Sequence, residues 1–134
     1  IELKPNFNAA WYNLGNTLAK NGQIKEAIGA YRKAVELKPD FEEAWTNLGV
    51  SLAKNGQIKE AIEAFNKAIE LKPGDADVVY NLACAYTLNN ERENALFNLK
   101  NAIQLDYKYK KMAQKDEDFK SLWNNTEFKQ ITGT

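Results

Sequence analysis

Apolar residues recur along the chain at the spacing of amphipathic helices, with short polar turns between the helical segments. In the first segment, Trp11, Leu14 and Leu18 share one side of a helix. Gly22 follows, and glycine is favoured where a helix ends because it adopts the left-handed backbone conformation at little cost. A second amphipathic segment then runs until Pro39, which stops a helix. The pattern predicts a helix–turn–helix unit.

This unit is repeated along the chain with a period of 34 residues. Residues 8–41 and 42–75 are identical at about two-thirds of their positions. A fixed period of this size is typical of repeat proteins, in which neighbouring units stack to bury a shared core. Residues 76–109 form a looser third copy in which Val79 replaces the tryptophan and Asn90 the turn glycine. Because asparagine tolerates the left-handed conformation, we expect this turn to persist.

The recurring residues resemble the tetratricopeptide repeat (TPR). The first copy reads Trp11-x-x-Leu14-Gly15, Ala27-x-x-x-Tyr31 and Pro39, and the second reads Trp45-x-x-Leu48-Gly49, Ala61-x-x-x-Phe65 and Pro73. Leu18 and Leu52 stand where the motif usually has tyrosine, and both keep an apolar packing residue there. The resemblance implies an all-α, right-handed α-solenoid of TPR hairpins that acts in protein–protein interaction.

The predicted organisation is a single TPR domain, residues 1–134. It consists of the end of a preceding repeat (1–7), three repeats (8–41, 42–75 and 76–109) and a capping helical tail (110–134). Ile1–Pro5 repeats the closing residues of both full copies, so we expect a longer parent protein. Apolar surface near Trp11 and Leu14 would then be open for pairing with another copy. In the tail, Asp116 and Thr126 are predicted helix N-caps.

Composition and charge narrow the possible functions. Lys and Arg together number 18, as do Asp and Glu, so there is no basic excess to favour nucleic acid or a membrane. Histidine is absent, which removes the commonest general base and a common metal ligand. No apolar run is long enough to span a membrane, and no signal peptide is apparent. We therefore expect a non-catalytic cytoplasmic protein without cofactor or metal.

Two features were considered for chemistry and assigned structural roles. Asp116-Glu117-Asp118 lacks the alternating ligands, glycine and distant glutamate of a calcium loop, and acidic residues suit the first turn of a helix. Cys84 is the single cysteine, and with no histidine to activate it we expect a packing residue rather than a nucleophile.

Asn13, Asn47 and Asn81 lie 34 residues apart, each in the first helix of a repeat. We expect their side chains to face the concave surface. A carboxamide offers donors and an acceptor without charge, so a line of three could bond the backbone of an extended peptide. The arrangement is similar to the asparagine ladder in the repeat arm of O-GlcNAc transferase. The alternative is that these asparagines hold the neighbouring repeat in place.

The resemblance places three further rows of residues in the same groove. They are Tyr12, Thr46 and Tyr80; Asn16, Val50 and Cys84; and Lys20, Lys54 and Leu88. The mixture is mildly polar with two aromatic rings, which suits a bound peptide or helix.

Some TPR co-chaperones clamp acidic chaperone tails, and here Asn16 and Asn47 match two members of that clamp. Tyr12, Asp77 and Asn81 replace its cationic members, which argues against such a ligand. The alternative function is a structural spacer, or a self-association element that packs through exposed repeat ends.

Overall fold

The computed structural model describes residues 7–134, so the predicted end of a preceding repeat lies almost wholly outside the described residues. Within this range the regular secondary structure is helical. The helices are α1 (Phe7–Lys20), α2 (Ile24–Leu37), α3 (Glu42–Lys54), α4 (Ile58–Leu71), α5 (Ala76–Leu88), α6 (Arg92–Leu105), α7 (Tyr109–Lys115), a 3₁₀ helix (Glu117–Leu122) and α8 (Thr126–Thr132). None of the described helices is long and apolar enough to cross a membrane.

The chain divides into two compact units, the first ending at Leu71 and the second running from Lys72 to Thr134. In the first unit, α1 packs against α2 and α3 against α4, while α2 also packs against α3. Tyr31, Leu52 and Phe65 are each at most 2% exposed and lie at the centre of this core. The two hairpins therefore share one apolar interior.

A glycine in the first helix of each hairpin lets the second helix approach closely. A Cβ atom added at Gly15 would lie 2.6 Å from Cε1 of Tyr31, and one added at Gly49 would lie 2.6 Å from Cε1 of Phe65. Both distances are far below normal carbon–carbon contact. The 34-residue period of the sequence is thus also a period of side-chain packing.

The turns within the hairpins take the predicted backbone conformation. Gly22, between α1 and α2, has φ = 78°, and Asn90, between α5 and α6, has φ = 61°. Asn90 is the one residue other than glycine with positive φ among the described residues. The prediction that asparagine preserves the turn of the third copy is confirmed.

In the second unit, α5 and α6 form a hairpin that the tail covers on two sides. The 3₁₀ helix packs against α5, while α7 and α8 contact each other and α6. Phe119 and Phe128 supply the apolar contacts of the tail, at 0% and 1% exposure, with ring centroids 5.9 Å apart. The tail therefore belongs to the core of this unit.

The N-caps of the tail were predicted correctly in one case out of two. The Asp116 carboxylate accepts a hydrogen bond from the Asp118 amide at 3.0 Å, as expected of a cap. Thr126 is wrong, because it is already the first helical residue of α8. The cap is Asn125, whose Oδ1 accepts from the Phe128 amide at 2.9 Å.

Candidate functional site

A pocket of about 310 Å³ opens in the first unit, lined by residues of α1, α2 and α3. It brings together five of the predicted groove residues, namely Asn16, Lys20, Asn47, Val50 and Lys54. Ala19, Ile24, Tyr31 and Ser51 complete the described lining. These nine residues include two ammonium groups and no carboxylate, so the pocket combines positive charge with apolar wall.

Hydrogen bonds fix the polar side of this pocket. The Tyr31 hydroxyl donates to Asn16 Oδ1 at 2.5 Å, and Asn47 Nδ2 donates to the same oxygen at 2.9 Å. Asn47 Nδ2 also donates to the Tyr12 hydroxyl at 3.2 Å. Burial raises the pKa of Tyr31, and the nearby Tyr12 raises it further, so Tyr31 remains a hydrogen-bond donor. The pocket is ordered before any ligand arrives.

The asparagines of the predicted ladder are not equivalent in the structure. Asn13 is exposed, whereas Asn47 uses its amide group to bind α1. Asn81 lies in the second unit, is partly buried, and has no hydrogen bond from its side chain to another described residue. For Asn47, the geometry therefore favours the alternative interpretation, in which the side chain holds the neighbouring repeat.

The remaining groove residues of the first unit differ in accessibility. Tyr12 is partly buried, with its ring centroid 4.8 Å from that of Phe41. Thr46 donates from its hydroxyl to the Glu42 carbonyl at 3.2 Å, within α3. Lys20 and Lys54 are exposed at the edge of the pocket.

Tyr80 and Cys84, predicted to line an open groove, are buried at 4% and 7% exposure. The reason is the tail. The Tyr80 ring stacks on Tyr109 with centroids 4.3 Å apart and meets the edge of Phe119 at 5.6 Å. Burial raises the pKa of the Cys84 thiol and of the Tyr80 hydroxyl far above their usual ranges. The prediction that these two residues line an open groove is therefore corrected.

Asp116 is a central residue of the second unit that the sequence analysis treated only as a helix cap. Its Oδ2 accepts from the Tyr80 hydroxyl at 2.7 Å and lies 3.9 Å from Cys84 Sγ. Tyr80 and Cys84 occupy the repeat positions of Tyr12 and Asn16, the two partners of Asn47. Asp116 thus makes the contact in the second unit that Asn47 makes in the first.

A signal for this role was present in the sequence. The asparagine period of 34 residues, continued beyond Asn81, reaches Lys115. Asp116 lies one position later, so a one-residue offset in the tail hides the correspondence from strict periodicity.

Cys84, Asp116 and Asp118 place possible metal-ligating atoms within 4.8 Å of one another. Their chemistry does not favour a cation. The raised pKa of Cys84 keeps its thiol protonated, and thiolate is the form that binds metals. Asp116 already accepts the Tyr80 hydroxyl proton and the Asp118 amide proton. The cluster is explained by packing and helix capping.

Comparison with known proteins places the chain in a family. One family model described as tetratricopeptide repeat matches residues 1–40 and 12–76, and a second with the same description matches residues 52–106. No curated protein sequence matches the chain.

Solved structures with the same fold include YrrB, described as a TPR protein with an unusual peptide-binding site. YrrB is 35% identical over 81% of this chain, with a TM-score of 0.75. The match spans 57% of YrrB, so the chain corresponds to little more than half the length of that protein.

Two MamA structures are also similar. MamA AMB-1 is 29% identical over 75% of this chain and 55% of its own, with a TM-score of 0.72. MamA from Desulfovibrio magneticus RS-1 is 24% identical over 96% of this chain and 71% of its own, with a TM-score of 0.82. The predicted fold class is confirmed, and the chain belongs to the tetratricopeptide-repeat family of protein-interaction modules.

Proposed function

We propose that the pocket of the first unit binds a peptide segment of a partner protein. The observation that carries the proposal is the convergence of Asn16, Lys20, Asn47, Val50 and Lys54 around one pocket of about 310 Å³. The 35% identity to YrrB, which is described as having a peptide-binding site, supports the same conclusion. The role is non-catalytic, since binding itself is the function.

The chemistry of the lining indicates how a peptide would bind. Val50 and Ile24 offer an apolar surface for one side chain of the ligand. Asn47 Nδ2 is already engaged, which leaves its Oδ1 to accept a backbone N–H of the peptide. Lys20 and Lys54 can donate to peptide carbonyl groups from the edge. The ligand is therefore an extended segment with one apolar anchor.

The test uses peptides selected from a random-sequence display library on the wild-type chain, with affinity measured by fluorescence anisotropy. Val50→Asp places a charge on the apolar wall, and we expect its Kd to rise by about tenfold or more, equivalent to at least ~1.4 kcal/mol. Leu88→Asp is the matched control, because Leu88 is 46% exposed and lies outside this pocket.

Circular dichroism establishes that both variants remain helical. Wild-type affinity in a folded Val50→Asp variant would contradict the proposed pocket. An equal loss in Val50→Asp and Leu88→Asp would contradict it as well, because the effect would then not be local.

A second function, self-association through α1, is favoured by one comparison of exposure. Leu14 on α1 is 45% exposed, whereas its equivalent Leu48 on α3, which packs against both α2 and α4, is 3% exposed. Phe7 at the start of α1 is 58% exposed and extends this apolar face. The face has the residue types of a helix-packing surface.

Light scattering over a concentration range tests self-association. We expect the wild-type chain to dimerise as its concentration rises and a Leu14→Asp variant to remain monomeric. A wild-type monomer at the highest concentration reached would rule out this second function and leave peptide binding untouched.

A further inference from the structure

A second charged pocket lies in the other unit, between the start of α7 and the end of α8. Its volume is about 610 Å³, and three lysines line it, Lys108, Lys110 and Lys111. Tyr107, which is 70% exposed, forms one wall. No acidic residue is among the described residues that line it. The pocket shares no residue with the proposed peptide groove.

Lys110 is held in place by its neighbours. Its ammonium group donates to the Tyr107 hydroxyl at 3.1 Å and lies 5.2 Å from the centroid of the Tyr107 ring. Its stem runs along Gly133, where an added Cβ would lie 3.0 Å from Lys110 Cε. Gly133 has φ = 76°, so a glycine suits this position on two grounds. A lysine fixed in this way loses less conformational entropy when it binds a ligand.

The three lysines differ in how their charge is balanced. Lys108 Nζ lies 3.6 Å from a carboxylate oxygen of Asp106 and 3.8 Å from one of Asp77. For Lys110 and Lys111, no carboxylate of the described residues lies within ion-pair distance. Positive charge in this pocket is therefore uncompensated at two adjacent positions.

We propose that this pocket binds the carboxylates of an acidic peptide segment from a partner protein. Ammonium groups beside an aromatic wall match glutamate or aspartate side chains by charge and by hydrogen bonding.

A peptide suits the surface better than a nucleic acid. Asp77 and Asp106 flank the lysines, and a continuous phosphate backbone would pass close to both carboxylates. The net charge of zero also lacks the basic excess typical of nucleic-acid binding.

The experiment measures binding of fluorescein-labelled hexaglutamate by fluorescence anisotropy. For Lys110→Glu/Lys111→Glu we expect an affinity loss of about tenfold or more, because both uncompensated charges are reversed. The matched control is Lys25→Glu/Lys59→Glu, which changes the net charge equally at two exposed lysines of α2 and α4. We expect the control to bind within about twofold of wild type.

A single-stranded oligonucleotide of equal charge serves as the competing probe. Undetectable binding of hexaglutamate to the wild-type chain would overturn the proposal. So would an equal loss in the two double variants, which would indicate non-specific attraction. Tighter binding of the oligonucleotide than of hexaglutamate would assign the pocket to nucleic acid instead.

Discussion

At Gly15 and Gly49, a hydrogen atom stands where any other residue would place a carbon against an aromatic ring. The partners are Tyr31 and Phe65, each 2% exposed and therefore closely surrounded. In cores of normal packing density, an added methyl group forces neighbouring side chains out of their preferred conformations. These glycines are required for packing, although both lie within helices, where glycine is otherwise unfavourable.

Gly49→Ala should therefore destabilise the protein. Overpacking against Phe65 costs about 1–3 kcal/mol, and the helix propensity of alanine returns about 1 kcal/mol of this. Gly29→Ala is the matched control, since Gly29 is exposed in α2 and an added Cβ has no neighbour within 4 Å. We expect Gly29→Ala to stabilise the protein in urea unfolding. A Gly49→Ala variant at least as stable as wild type would contradict the packing argument.

Asp118 should make stability depend on pH. Partial desolvation of its carboxyl, and then the nearby Asp116, raise its pKa in the folded state. The ionised form is therefore disfavoured by folding, and this penalty is complete above the folded pKa and absent below the unfolded pKa. Asp118→Asn should raise the melting temperature at pH 7, and the difference should vanish below about pH 3.9. A wild-type protein more stable than the variant at pH 7 would contradict this.

At the scale of elements, the tail shows where sequence reasoning reached its limit. Apolar residues after Tyr107 predicted short capping helices, and the structure has three. What the periodicity did not reveal is that the 3₁₀ helix lies on α5 and buries Tyr80 and Cys84. The contact depends on side chains that meet in space, and the tail follows no repeat from which their partners could be read.

Removing Phe119 should uncover the α5 surface. Phe119 is fully buried in the 3₁₀ helix, and truncation of such a side chain costs about 3–5 kcal/mol. We expect Phe119→Ala to accelerate the reaction of Cys84 with Ellman's reagent, with Phe119→Leu intermediate. Lys120→Ala, an exposed position of the same helix, should react at the wild-type rate. Equal rates in all four proteins would show that the 3₁₀ helix does not protect the thiol.

At the scale of the whole molecule, the family and the helical hairpins were predictable because they depend on local periodicity. The binding surface was predictable only in part. The pocket in the first unit gathers residues such as Asn16 and Lys54 from repeats that follow the period closely. The lysine pocket was not anticipated, because it combines Lys110 with Gly133, which are distant in sequence and lie outside the three repeats.

The two compact units should also respond separately to mutation. Each has its own buried aromatic residues, Phe65 in the first and Phe119 in the second. In repeat proteins, stability is a sum of local and nearest-neighbour contributions. We therefore expect Gly49→Ala to increase amide hydrogen exchange in α1–α4 more than in α5–α8, as followed by mass spectrometry. A uniform increase across all helices would indicate a single cooperative unit.

The hydrogen bonds of Asn16 have a consequence for how such a chain can grow by duplication. Tyr31 and Asn16 belong to the same hairpin, and the next hairpin has Phe65 and Val50 in their places, so hydroxyl and acceptor are absent together. A copied hairpin carries this pair with it intact. The bond from Asn47 to Tyr12 joins different hairpins and is remade only behind a neighbour that offers a suitable acceptor. The order of the repeats is thus recorded in their polar contacts, independently of the apolar core that any copy would provide.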